Sequence, residues 1–260
     1  GGEFLLTDEK SYTRVATFRK FRLPGGVSAV KEPRRTALGV LYEMMGDAVF
    51  DREDLNPVLA FRDSEIKVLA KMLQNGIHSP WTTSAGRLFD AAASLAGLRQ
   101  RMRFEGQAAM ELEFAVGLDG TDENYPFSLK RPDPEVAGEK VLFIADWEPM
   151  IETLLGDVRD QIPLARIAGK FHNTMVEIIV ETARSVGEQR VILTGGCFQN
   201  KYLTERSVKR LQKEGFKPYW HQRIPPNDGG ISLGQVVAAS RCISSQRSAV
   251  DRGLMVGGSI

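Results

Sequence analysis

The period of the apolar positions changes along the chain, and each change marks an element. Residues 12–23 alternate, with Val15, Thr17 and Phe18 set among Arg and Lys, so the first 24 residues read as strands. Leu23-Pro24-Gly25-Gly26 breaks that pattern. From Pro33, a favoured first helical residue, the period is helical, with Ala37, Leu38, Leu41, Met44, Met45 and Ala48 on one face. Residues 51–63 are a polar connector. Ser64 caps a second helix bearing Ile66, Leu69, Met72 and Leu73, which ends at Asn75-Gly76. Ser84 caps a third, with Leu88, Ala91, Ala92 and Leu95 inward and Gly97 as its stop. On that wheel Asp90 falls about opposite Leu88, away from the apolar stripe. Gly106 precedes a fourth helix carrying Ala108, Ala109, Leu112 and Ala115. Residues 117–126 form an acidic loop. Asp119, Asp122 and Glu123 miss the spacing of a calcium loop, which leaves a solvated turn. Residues 127–145 return to strands, notably Val141-Leu142-Phe143-Ile144, and a short helix follows from Glu148. The most regular helix covers 162–186, with Leu164, Ile167, Ala168, Phe171, Met175, Ile178 and Ile179 in period, Pro163 at its start and Gly187 at its end. His172 sits on the border of that face, a position that suits a hydrogen-bonded structural group better than a catalyst.

The rest of the chain is organised around residues 191–234. The β-branched run Val191-Ile192-Leu193-Thr194 turns on Gly195-Gly196 into a polar segment, Phe198 to Lys201, that reads as the first turns of a helix reaching about residue 213 and stopping at Gly215. An aromatic strand over 217–222 then meets Pro225-Pro226-Asn227-Asp228-Gly229-Gly230 and a small-residue helix over 231–241. Two strands thus each end in a glycine pair leading into a helix. Such strand ends are where open α/β sheets bind ligands. Glycine lets the backbone approach a phosphate, and a helix N-terminus offers it free N–H groups. Asp228 at the second end could hold Mg²⁺ or orient a hydroxyl. The plainer alternative is that both glycine pairs are tight turns and Asp-Gly a hairpin signal. Neither turn matches the dinucleotide fingerprint or the Walker loop.

With 260 residues and a net charge of +1, the chain has length enough for a real core and no electrostatic case for nucleic acid or an anionic membrane. No apolar run approaches the ~20 residues of a spanning helix. Two cysteines, Cys197 and Cys242, exclude a disulfide framework and suit a reducing cytoplasm. His78, His172 and His221 are too scattered for a self-contained metal cluster. The N-terminus, Gly1-Gly2-Glu3-Phe4, has neither an initiator Met nor a signal peptide, so the chain reads as a piece of something longer. Strands, a helical block and then alternating strands and helices make an α/β core with a helical insertion.

Several motifs in order carry a resemblance. They are Gly1-Gly2-Glu3-Phe4-Leu5; Leu23-Pro24-Gly25-Gly26 with Lys31-Glu32-Pro33-Arg34; Thr83-Ser84-Ala85-Gly86-Arg87-Leu88-Phe89-Asp90-Ala91; Phe104-Glu105-Gly106-Gln107-Ala108-Ala109; Phe171-His172-Asn173-Thr174; Thr194 to Asn200; and Pro225 to Ile231. In this order they resemble the C-terminal part of the HypF family, carbamoyltransferases of [NiFe]-hydrogenase maturation. The resemblance implies a TsaD-like domain of the actin-like, Hsp70-like ATPase (ASKHA) fold, mainly its C-terminal lobe, over 1–243. The helical insertion would cover about 31–117, and 244–260 would be a flexible tail. It implies ribose held by Asp90, a nucleoside contact at Gly106, nucleotide contacts at Gly195, Gly196 and Asn200, and a metal ligand at Asp228. The ligand would be ATP or carbamoyl-adenylate, supplied by a YrdC-like domain. A divalent metal, Mg or Fe, would take its remaining protein ligands from a segment upstream of this chain, where the family also has paired histidines. The acceptor would be the C-terminal cysteine of HypE in the cytoplasm, with no membrane or nucleic acid involved, and no nucleophile from this chain is needed. Cys197 stands where the family more often has a small apolar residue and reads as a packed hydrophobe. Three rivals stay open: TsaD-type tRNA threonylcarbamoyl transfer, a hydrolase using Cys197, and a non-catalytic docking module.

Overall fold

The computed structural model describes residues 1–8, 11–117, 120–132 and 141–241. Asp119, Cys242 and the tail expected over 244–260 lie outside the described residues. The chain opens with strands β1 (Glu3–Thr7), β2 (Tyr12–Phe18) and β3 (Phe21–Arg22). Helices α1 (Val27–Lys31), α2 (Pro33–Met45), α3 (Asn56–Leu59) and α4 (Asp63–Asn75) follow, then β4 (Trp81–Thr82), α5 (Ala85–Leu95) and α6 (Gln107–Ala115). The remainder is β5 (Ser128–Lys130), β6 (Phe143–Asp146), α7 (Glu148–Arg159), α8 (Leu164–Val186), β7 (Arg190–Leu193), α9 (Lys201–Lys213), β8 (Lys217–Trp220) and a helical stretch over 231–241.

The main sheet has the order β1-β2-β6-β5. Its centre is the parallel pair β2–β6, with Ala16 opposite Phe143 and Phe18 opposite Ala145, and an antiparallel strand flanks each side. Val15, Ala16, Phe18 and Ala145 are buried. Ala16 and Phe18 share one face of β2 and Val15 lies on the other, so both faces of the strand are covered here and burial departs from the single alternation expected from the sequence. A second, two-stranded parallel sheet pairs β7 with β8 through the α9 crossover, Arg190 opposite Lys217 and Leu193 opposite Trp220.

The helical block packs on α5, which touches α2, α3, α6 and α7. Leu88, Phe89, Asp90, the three alanines after it and Leu95 are all buried. The wheel reading of Asp90 as outward-facing is therefore corrected: the helix has no solvent side, because its run of alanines lets neighbours close around it. Gly39 lets α2 come down on the strand before it, since a Cβ there would stand 1.9 Å from the Arg22 carbonyl oxygen. Arg34, also on α2, is 1% exposed and lies between Glu32 and Glu65, with Phe61 beneath its guanidinium. This joins α2 to α4 by a buried cation that apolar periodicity does not register.

Some boundaries moved. Met45 ends α2, and a 3₁₀ turn over Gly46–Asp51 leaves Ala48 exposed and buries Val49. The polar connector contains α3, with Pro57 and Val58 buried. Helix α4 starts two residues early, at Asp63, since the Glu65 carboxylate accepts from the Arg62 N–H at 3.0 Å and Ser64 does not cap. Ser84 does cap α5, accepting from the Arg87 N–H. The acidic loop is more than a solvated turn. Tyr125 is buried and its hydroxyl donates to Asp157 at 2.8 Å, while Glu123 pairs with Arg166.

Candidate functional site

Helix α8 carries Phe171-His172-Asn173-Thr174, and all four side chains are buried. Each one latches a different neighbour. Phe171 meets Phe89 of α5 edge-on, with ring centroids 5.0 Å apart. The Asn173 amide donates to the carbonyls of Thr121 and Glu123, both at 2.6 Å. The Thr174 hydroxyl accepts from the Tyr125 N–H at 2.8 Å. His172 reaches the β7–α9 turn: its Nδ1 lies 2.8 Å from the Ala168 carbonyl oxygen and its Nε2 2.9 Å from Asn200 Nδ2. Burial pushes the imidazole down to about 4, so it is neutral at physiological pH.

The turn after β7 differs from the expectation in one respect. Residues 196–199 form a 3₁₀ turn, and α9 begins only at Lys201, capped by Asn200. The α9 N-terminus is already occupied. The Glu113 carboxylate, reaching over from α6, accepts from the Lys201 and Tyr202 N–H groups at 2.8 and 3.1 Å. The Asn200 side-chain oxygen accepts from the Leu203 N–H at 2.7 Å. The first N–H groups of α9 are therefore not free to receive a phosphate. Those of Gly196 and Cys197, one turn earlier, bond no described residue. Gly195 takes φ 103°, a left-handed value that favours glycine, and this aims the turn away from the strand.

Three other segments meet this turn. Gly86 on α5 faces the Cys197 sulfur: a Cβ at Gly86 would lie 3.7 Å from it. Asp90, one turn further along α5, is fully buried. Its carboxylate contacts the Arg87 guanidinium at 2.7 Å as a charge pair, but among the described residues neither oxygen accepts a well-formed hydrogen bond. Burial pushes the Asp90 carboxyl up to about 7; Arg87 pulls it down and Glu105 pushes it further up. Glu105 is the residue before Gly106, the left-handed cap (φ 79°) of α6. From the other side, the Pro226 carbonyl accepts from the Gly195 N–H at 2.8 Å, tying the Pro225–Gly230 segment to the first glycine turn. Asp228 opens the 3₁₀ turn there and is exposed, with the Asn227 side chain accepting from Gly229.

The structure thus brings Asp90 to the Gly195–Cys197 turn and ties the Pro225–Gly230 segment to Gly195, while the Gly106 cap is linked to Asp90 only through the charge of Glu105. Asn200 belongs to that turn as well, but with both ends of its amide engaged by the fold. Arg87, Glu105 and Glu113 were not singled out by the sequence. Arg87 lies three residues before Asp90 on one helix, a spacing that pairs opposite charges and could have revealed it. Glu113 is 88 residues from Lys201, and no local signal betrays it. Among the described residues no three His, Cys, Asp or Glu side chains gather to hold a metal, so Asp228 offers a lone carboxylate.

Comparison with known proteins decides the family. The model described as "Carbamoyltransferase, Kae1-like Domain, second subdomain" matches residues 1–235. The chain belongs to the HypF carbamoyltransferase family. It is 38% identical over 251 residues to carbamoyltransferase HypF of Synechocystis, covering 92% of this chain and 31% of that protein. It is 35% identical over 266 residues to HypF2 of Cupriavidus necator, covering 92% and 31%. The crystal structure of a full-length HypF in a phosphate- and nucleotide-bound form superposes with a TM-score of 0.82 at 34% identity, covering 93% of this chain and 30% of that one. The chain therefore spans about a third of the length of these HypF proteins. Its α/β fold is that of a HypF Kae1-like subdomain.

Proposed function

We propose that this chain forms one side of the nucleotide site of a HypF-type carbamoyltransferase domain with the two-lobed actin-like fold, working in the cytoplasm. The site would bind ATP or carbamoyl-adenylate delivered from a YrdC-like domain and pass the carbamoyl group to the C-terminal cysteine of HypE. The observation that carries this reading is the meeting of a buried carboxylate, Asp90, with the glycine turns that follow two parallel strands. A buried carboxylate that has Arg87 beside it but accepts no well-formed hydrogen bond from a described residue has capacity for donors, and ribose hydroxyls are donors. Gly106, with nothing beyond where its Cβ would be, leaves room for a base or sugar. The Gly196 and Cys197 N–H groups, which bond no described residue, suit an anionic oxygen.

In the transfer, the partner's thiolate attacks the carbamoyl carbon, a C–S bond forms, and the C–O bond to the adenylate phosphate breaks with AMP leaving. This chain would contribute positioning and N–H donors to developing negative charge, with no covalent intermediate of its own. Asp228 would be one ligand of a divalent metal, complete only with phosphate oxygens, water and protein ligands from elsewhere. That no described helix is long and apolar enough to cross a membrane is compatible with this setting.

The test is calorimetry on the 260-residue chain followed by a transfer assay in a full-length protein carrying it. The chain alone should bind ATP weakly and take up little metal without nucleotide. In the full-length protein, Asp228→Ala should abolish loading of the HypE cysteine and leave carbamoyl-phosphate cleavage intact. Tight nucleotide-independent metal binding, or normal loading by Asp228→Ala, would refute it.

A further inference from the structure

The Phe171-His172-Asn173-Thr174 motif holds one contact whose direction can be worked out from heavy atoms alone. Asn200 caps α9, so its side-chain oxygen must face the Leu203 N–H, 2.7 Å away. Its NH2 group then faces His172 Nε2 at 2.9 Å. An NH2 group only donates, so Nε2 must present a lone pair. The ring proton is left on Nδ1, where the Ala168 carbonyl accepts it at 2.8 Å. The three contacts are consistent with one another in only this one arrangement. Phe89 and Tyr202 meet the imidazole edge-on at 5.2 and 5.4 Å, and Phe171 at 6.1 Å, so the ring cannot swing away.

We infer that His172 is a positioning residue of the glycine turn, accepting at Nε2 from the Asn200 amide and through it fixing Gly195–Asn200. The amide has four hydrogen-bonding capacities, and the fold spends the two that set its orientation. Asn200 therefore acts as a strut between α8 and α9. The second N–H and the second lone pair of the amide stay available to a ligand beside the backbone of the turn. Positioning explains why a polar pair is kept inside an aromatic cluster. Replacing only one member leaves the other buried and unsatisfied, which is more costly than the net worth of the bond. For its ligand consequence, though not for its geometry, the inference rests on the nucleotide reading given above.

The test uses the 260-residue chain labelled with ¹⁵N in histidine and glycine, with ATP as the probe. Long-range ¹H–¹⁵N correlation at neutral pH should show His172 protonated at Nδ1 and bare at Nε2, the opposite of the form a free neutral imidazole prefers. Asn200→Ser retains a cap for α9 but cannot reach His172. It should shift the Nε2 resonance and move the amide peaks of Gly195 and Gly196. His172→Leu should move the same glycine peaks, and His172→Gln, which restores an acceptor, should return them towards wild type. ATP affinity should fall about tenfold in His172→Leu, the weight of one hydrogen bond, and recover in His172→Gln. A proton on Nε2, or glycine peaks unmoved by both Asn200→Ser and His172→Leu, would overturn the inference. Should His172→Leu fail to fold, Asn200→Ser on the surface turn still decides it. If the tautomer and glycine shifts appear while wild type binds no ATP, the positioning role stands and the nucleotide reading fails.

Discussion

Asp90 carries the largest electrostatic cost at the site. Burial holds its folded carboxyl near 7, well above its ordinary value of 3.8. The folded chain therefore keeps a proton that the unfolded chain has released. That contribution is fully present below about pH 4 and is lost as pH rises through about 7, at a slope of up to about 1.4 kcal/mol per pH unit. Asp90→Asn removes the charge, so its stability relative to wild type should climb between pH 5 and pH 8 in thermal melts; a flat difference would show that Asp90 is ionised in the fold throughout. His172 has the opposite sign, since its depressed value favours the fold above about 6.5 and costs stability as pH falls towards 4. Cys197 is the third titrating group here. Burial, with Asp90 nearby, pushes its thiol up, and Arg87 pulls it back only in part. A raised thiol is a poor nucleophile, and both nitrogens of His172 are already engaged. Cys197→Val should leave carbamoyl transfer in the full-length protein nearly unchanged, whereas a loss of about a thousandfold would mark a catalytic group. At this scale the sequence exposed residue identities better than environments. Asp90 stood out, but a wheel assumes one wet face, and α5 has none.

Among the elements, α2 and α5 are the ones the rest of the block leans on, and their beginnings could be read from Pro33 and Ser84. Helix α8 was legible from its period and its Gly187 cap, though it starts at Leu164 rather than 162, with Pro163 just outside it. What the pattern missed are ties between distant elements: Arg34 between α2 and α4, and Glu113 from α6 on the N-terminus of α9. These depend on partners far apart in sequence, to which local periodicity is blind. Arg34→Ala would leave Glu32 with Arg35 and Glu65 with the Arg62 N–H, so the loss is that of charged hydrogen bonds and should destabilise the chain by about 1.5–3 kcal/mol in urea titration. The β7–β8 pair lies at the other extreme. Ile192 is 65% and Tyr219 52% exposed, and Ile231, Leu233, Val236 and Val237 of the helical stretch after it are exposed too. A two-stranded sheet is marginal without cover. Amides of β7, β8 and residues 231–241 should therefore exchange with deuterium well before those of α2 and α5. Equal protection would mean the small sheet is as firmly held as the core.

On the scale of the whole molecule, one apolar core runs from Phe18 in the first sheet through α2, α5 and α8 to Leu211 on α9. The glycine turns lie at its C-terminal margin, and the sheet β1-β2-β6-β5 at its start. The pairing of β2 with β6 has a consequence in time. β6 follows the entire helical block, so at about 10 residues per second a ribosome makes it on the order of ten seconds after β2. Until then β2 has only β1 beside it, with Val15, Ala16 and Phe18 uncovered. Nascent chains stalled before Phe143 should be cleaved readily in the β1–β2 hairpin, and chains released beyond Val186 should resist. During synthesis, then, β1 and β2 are made well before the strand that secures them, and the helices made between β2 and β6 must wait for that sheet to be completed.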